Sequence, residues 1–187
     1  MNRIPNPNPS DLPADIAKLT EQVNLNLFNV WSHSVGTIKD VMSLGADHYA
    51  ALELTPHIRE LVILLTAKVN QCQYEWVQHV TPAKLIGVTE GQIDAIQKLE
   101  FTETNFNPKE LAAMKFSLAV LSNPNVSDDV FQLSLTNFSN RELVEIVDVI
   151  GYYWMAGRIA TVFKLDLDIP KSDEVKDSAT QFYKQGH

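Results

Sequence analysis

The chain holds a single cysteine, Cys72, among its 187 residues. No intramolecular disulfide can form, structural or catalytic, and a lone free thiol suits a reducing compartment. Arginine is scarce, at Arg3, Arg59, Arg141 and Arg158 only, and no cluster of basic residues occurs. With 23 acidic against 15 basic residues and a net charge of −8, the chain lacks the footprint of a nucleic-acid binder. No apolar run approaches the ~20 residues that a membrane span needs. The opening MNRIPNPNPSDLP is polar and has no apolar h-region. Together these absences predict a soluble, cytoplasmic protein with neither nucleic acid nor membrane as partner. Period-two alternation and a βαβ rhythm are missing too, which leaves an all-α fold.

What is present is a succession of helix signals, enough for roughly seven to nine helices. The Asn/Pro-alternating residues 1–9 read as an extended arm, with Ser10 as cap of a first helix. Ser34 is placed to cap a helix whose inner side is Val35, Ile38, Val41, Met42 and Gly45. Thr55-Pro56 is an N-cap followed by proline at the first helical position. Thr89 with Gln92, Asn107 with Glu110, and Ser139 with Glu142 have the spacing of N-terminal caps. Pro82 predicts an end or kink one turn after His79, and Gly87 a C-terminal stop. One helical domain is expected over residues 10–167. The polar residues 168–187 read as an arm able to pack on a neighbour through Phe182 and Tyr183.

Chemistry concentrates in residues 59–79, RELVILLTAKVNQCQYEWVQH. Cys72, Glu75 and His79 fall at i, i+3 and i+7, on one stripe of a helix. Tyr74, Trp76, Val77 and Val80 surround them with bulk, so Glu75 should be partly desolvated and its pKa raised. A carboxyl and an imidazole so poised can exchange a proton near neutrality. The plain alternative is an exposed i, i+4 pair worth ~0.3–0.5 kcal/mol. Glu60 could be no more than a helix-end charge, or pair with Arg59 or Lys68. Two antiparallel helices joined by the Asn70-Gln71 break would instead carry it to His79. Cys72 is either a small buried apolar group or a thiol activated at a helix start. Trp76 and Trp154 read as core. Tyr152 and Tyr153 sit in an apolar helix where one hydroxyl needs a partner. His33 could lie at a helix junction near the site, while His48 and His57 read as surface residues. Glu60, Glu75 and His79 could supply metal ligands, but no HExxH or Cys/His cluster supports one, and neither metal nor cofactor is expected.

These residues resemble the carboxymuconolactone decarboxylase family, which includes alkylhydroperoxidase D (AhpD). The resemblance covers residues 50–100, with weaker echoes in 25–49 and 139–165. It rests on Leu54-Thr55-Pro56, Arg59-Glu60-Leu61, Tyr74-Glu75-Trp76, His79 and Gly87-Val88-Thr89. It implies an AhpD-like helical bundle that assembles as a homo-oligomer, whether dimer, trimer or hexamer. In the AhpD branch a glutamate precedes a Cys-x-x-Cys-x-x-x-His run that reduces peroxides. Glu60, Cys72 and His79 match three of those four places, and Glu75 stands at the second cysteine. The decarboxylase branch resembles this chain in its Glu-x-x-x-His, and implies acid–base work on a small carboxylated lactone. We therefore expect proton transfer on a small organic acid or lactone through His79, Glu75 and Glu60. Cys72, Tyr74, Trp76 and His33 would line the pocket, and Arg59 or Arg158 would meet a substrate carboxylate. The alternatives are a thiol-dependent peroxidase using Cys72, and a non-catalytic binding or assembly protein on the same scaffold.

Overall fold

The computed structural model describes residues 2–168. The C-terminal arm, with Phe182 and Tyr183, lies outside the described residues apart from Asp168. After a 3-10 turn at Pro9–Asp11 come α1 (Ala14–Val23), α2 (Asn26–Trp31), α3 (Ile38–Ala50), α4 (Pro56–Val69), α5 (Gln73–Leu85), α6 (Glu90–Lys98), α7 (Pro108–Ser122), α8 (Asp128–Leu135) and α9 (Asn140–Val162). Among the described residues there is no strand, as the missing alternation predicts. The chain divides into two compact units, residues 2–51 with 158–168, and residues 52–157.

In the first unit the N-terminal arm is tied to the end of α9. Arg3 donates its backbone N–H to the Phe163 carbonyl at 2.8 Å and Nη1 to the Val162 carbonyl at 3.0 Å. A guanidinium suits the negative end of the helix dipole and serves carbonyls that have no helical partner. Ser10 does not cap α1; Asn8 caps the 3-10 turn, and Pro13 precedes α1 with no side-chain cap. Ser34 does not cap α3 either. Its hydroxyl bonds Thr37 Oγ1 at 2.7 Å, and α3 starts at Ile38, leaving Val35 outside the helix and exposed. His48, expected at the surface, is only 1% exposed. It stands ten residues after Ile38, on the inward stripe shared with Val41 and Gly45.

The second unit is built around α4. Thr55 accepts the Ile58 N–H and Pro56 opens the helix. Every residue from Ile58 to Ala67 is buried, so α4 is apolar on all sides because neighbours cover all sides. It packs against α5, α6 and α7. Thr89 with Gln92 and Asn107 with Glu110 form reciprocal capping boxes. Ser139 and Glu142 exchange the same pair of bonds, at 2.8 and 3.1 Å. Glu145 accepts the N–H groups of Glu53 and Leu54 at 3.0 and 2.8 Å, which ties the entry to α4 onto α9. His57 is half-buried, 3.0 Å from Glu110, rather than a free surface residue. Pro82 sits inside α5 and does not end it. The ring removes one donor from the ladder, and the helix still closes another turn before Gly87 stops it at φ +95°.

Candidate active site

The corner between α4 and α5 makes the site. Asn70 ends α4, Gln71 turns in the left-handed region at φ +54°, and Cys72 is the N-cap of α5. Cys72 N–H donates to the Ala67 carbonyl at 2.9 Å, and its Sγ accepts the Glu75 N–H at 3.5 Å. Two contacts with α9 hold the corner. Asn70 Nδ2 donates to the Trp154 carbonyl at 3.0 Å. Gly157 faces the same amide, and a Cβ there would lie 2.5 Å from Asn70 Nδ2 and 3.3 Å from Cys72 Cβ. Only a residue without a side chain lets α9 come this close.

Folding back at this corner brings Glu60, about three turns before it, onto His79, about two turns after it. Glu60 Oε2 lies 2.9 Å from His79 Nδ1. Glu60 is fully buried and its Oε1 also meets Arg59 Nε at 3.4 Å. An ionised carboxylate can only accept, so it fixes a proton on Nδ1 and turns Nε2 toward the remaining partner. That partner is Glu75, whose Oε2 is 3.6 Å from Nε2, just beyond hydrogen-bond length. Tyr153 closes the other side, its ring edge-on to the imidazole at 4.9 Å.

The electrostatics follow from burial. Glu75 is 3% exposed and its Oε1 has no hydrogen-bond partner. Desolvation raises its pKa to about 7, against a smaller lowering by His79. For His79, burial works against the imidazolium. The charge and hydrogen bond of Glu60, helped by Glu75 and opposed by Arg59, outweigh it and hold the pKa above the ordinary value. Burial and the Glu75 charge keep the Tyr152 phenol protonated by raising its pKa. Glu75 thus gains and loses its proton near neutral pH, with His79 Nε2 facing it at 3.6 Å.

The expected trio of Glu60, Glu75 and His79 is brought together, with Cys72 one turn away on the same helix. An open groove of about 370 Å³ adjoins the corner, lined by Lys68, Cys72, Trp76 and three glutamines, Gln71, Gln73 and Gln97. Trp76 is half-buried on this groove, and Trp154, read as core from sequence, is 47% exposed because its part of α9 faces outward. Tyr74 is buried but does not line the groove. Arg59, expected to meet a substrate carboxylate, is buried with its guanidinium on Glu60. Arg158 and His33 belong to the first unit, where His33 Nε2 donates to the Pro5 carbonyl at 2.9 Å. Among the described residues no group of three or more His, Cys, Asp or Glu is arranged to hold a metal ion. No helix among them is long and apolar enough to cross a membrane. Sequence reasoning missed Lys68 and the glutamines, since isolated polar residues at a helix corner carry no spacing signal.

Comparison with known proteins bears on the fold. No curated protein matches the sequence. The fold is shared with an AhpD core, peroxidase-related protein from Ralstonia eutropha, at 20% identity over 99% of this chain and 96% of that one, with a TM-score of 0.76. It is also shared with a protein of unknown function and putative antioxidant defence protein AhpD from Agrobacterium tumefaciens, at 22% identity over 74% and 96%, with a TM-score of 0.67. The debrominase Bmp8, solved with 2,3,4-tribromopyrrole, matches at 13% identity over 95% of each chain, with a TM-score of 0.68. Residues 39–118, which include Glu60, Cys72, Glu75 and His79, match the carboxymuconolactone decarboxylase family, and the chain that carries them has an AhpD-like all-helical fold.

Proposed function

We propose that this chain is a carboxymuconolactone decarboxylase-like enzyme that moves a proton on a small organic acid or lactone, with Glu75 and His79 as its acid–base pair. One observation carries the reading: a buried carboxyl with a free oxygen titrates near 7 beside an imidazole held by Glu60. A catalytic acid or base works best when its pKa lies near the working pH. Glu60 holds the Nδ1 proton, so the mobile proton is the one between His79 Nε2 and Glu75. In a decarboxylation, the C–C bond to the carboxylate breaks, its electron pair passes to the neighbouring carbon, and this proton quenches the charge as CO₂ leaves. In an isomerisation, the same pair removes a proton at one carbon and returns it at another.

The test is turnover of carboxymuconolactone and simple carboxylated lactones by the full chain. Glu75→Gln and His79→Ala should each lower kcat by ~10²-fold or more, the usual contribution of general acid–base catalysis, with unchanged circular dichroism. Full activity in both variants sinks the mechanism.

A second reading is favoured by the thiol on the groove. Cys72 thiolate would attack a peroxide oxygen, break the O–O bond, release an alkoxide and become a sulfenic acid. With one cysteine in the chain, an external thiol would have to reduce it, forming and then cleaving a mixed disulfide. The names of the AhpD-like and debrominase neighbours give this reading its interest. Peroxide consumption with added thiol, lost in Cys72→Ser but kept in Glu75→Gln, would favour it over proton transfer.

A further inference from the structure

We propose that the outer side of α9 is a pairing surface for a second copy of this chain, with two α9 helices crossing antiparallel on a two-fold axis at Gly151. The proposal holds whichever chemistry the centre performs.

The pattern of α9 makes the first argument. Its inner side, with Leu143, Ile146, Val149, Ile150 and Tyr153, is buried. Val144, Val147, Gly151, Trp154 and Met155 are exposed, and their spacing of three and four puts them on one stripe. Val144, at 69%, is the most exposed large apolar side chain among the described residues. Between Val144 and Met155 the one exposed charge is Asp148. Single exposed apolar residues need no explanation, but a continuous stripe marks a contact surface.

Gly151 makes the second. Glycine inside a helix is less favourable than alanine, so its presence needs a reason. At Gly157 the reason lies in the chain, where the Asn70 amide crowds the place of a Cβ. At Gly151 nothing described beyond its own helical turn stands within 4 Å of that place, and its φ is not positive. The packing of the described residues therefore does not call for glycine here. A helix from outside does, since a residue without a side chain lets two backbones approach closely.

Symmetry makes the third and names the occupant. A two-fold pair uses one patch twice, and a residue on the axis meets its own copy. With the axis at Gly151, Val147 and Met155, four residues to either side, meet across the interface. Asp148 and Trp154, three residues to either side, also meet, and the indole N–H gains a carboxylate to donate to. A parallel pair would instead set Asp148 against its own copy, in a chain whose net charge is already −8. The stripe is about 17 Å long, so the contact is small and the dimer belongs with weak, micromolar associations. The inner side of the same helix walls the centre, with Tyr153 on His79 and the Trp154 carbonyl on Asn70. Pairing would brace that wall in both copies.

The experiment is sedimentation of the full chain over a concentration series. The mass should double from 21.0 kDa as concentration rises. Val147→Glu should weaken the dimer by about tenfold or more, since it sets an acid into an apolar contact. Gly151→Ala should also weaken it, while raising the melting temperature of the dilute monomer. A role within the chain alone would not move the two readouts in opposite directions. Gly151→Cys, on the axis, should cross-link to its own copy under mild oxidant, and Val144→Cys should not; Cys72 is buried and adds no background. A chain monomeric throughout, a trimer, which has no two-fold axis, or a dimer indifferent to both Val147 and Gly151 overturns the proposal and leaves the stripe to another occupant.

Discussion

Replacing Glu75 by glutamine should make the protein more stable, and the gain should depend on pH. The carboxyl titrates near 7 when folded, against an ordinary value of 4.5. Between those values the folded chain holds a proton that the unfolded chain has released. The native state therefore binds more protons, and stability falls as pH rises. The slope from one such group is about 1.4 kcal/mol per pH unit, so the loss between 4.5 and 7 is roughly 3 kcal/mol. Above pH 7 the cost is fully present, because a buried carboxylate with one unpartnered oxygen has replaced a neutral acid. Glutamine has nearly the same shape and never ionises. At pH 5 the two proteins should be of similar stability. At pH 8 the variant should lead by roughly 3 kcal/mol, or about 6–12 °C in Tm for a chain of this size. Urea denaturation at intervals from pH 5 to 8 measures this, with fluorescence of Trp31, Trp76 and Trp154 as the signal. A difference between the proteins that stays flat with pH, or a variant that loses ground toward pH 8, would refute the burial argument.

Further outcomes concern the same corner. Glu60→Gln should bring the His79 pKa down toward its ordinary value, since the Glu60 charge and hydrogen bond raise it; NMR titration of the imidazole reads this directly. Gly157→Ala should cost about 1–3 kcal/mol, as overpacking does, because the new methyl meets the Asn70 amide at 2.5 Å; the urea midpoint should fall. Glu145→Ala should cost roughly 2–3 kcal/mol by leaving the Glu53 and Leu54 amides without their acceptor, and a variant of wild-type stability would count against the tie between α9 and α4.

Much of the fold was legible because local chemistry decides it. Thr55, Thr89, Asn107 and Ser139 cap helices as their side chains dictate, and Gly87 stops α5 in a conformation that suits glycine. The meeting of Glu60 with His79 was legible too, from a short break between two apolar helices. Other features depend on what packs nearby, and a sequence does not carry that. Ser10 and Ser34 have the right chemistry for caps, but Asn8 serves the first turn and the Ser34 hydroxyl serves Thr37. His48 is polar, yet its helix register points it inward. Pro82 costs α5 a hydrogen bond without ending it, since the helix keeps its other turns. Of the two roles the sequence left open for Arg59, a substrate carboxylate or Glu60, packing selects the buried Glu60. Lys68, a possible partner of Glu60 from sequence, lines the groove instead, and the carboxylate meets Arg59.

Glu75 is where the two chemistries of this fold diverge. The AhpD pattern that the sequence resembles has a second thiol there, and its peroxidase cycle ends in a disulfide between neighbours. A carboxyl in that place removes the internal disulfide, so a redox cycle at Cys72 would depend on an outside thiol. It also puts a group that ionises near 7 within 3.6 Å of His79. For stability alone the exchange is a poor one, because a buried acid with an idle oxygen weakens the fold at neutral pH, where an apolar residue would cost nothing. Strained or destabilising groups persist where function uses them. The same Glu60–His79 bond would serve either chemistry, since it fixes which imidazole nitrogen faces Glu75. On the proposed reading, what changes with residue 75 is the group beside that nitrogen: a thiol in the AhpD pattern, and here a carboxyl oxygen 3.6 Å away that would pass a proton.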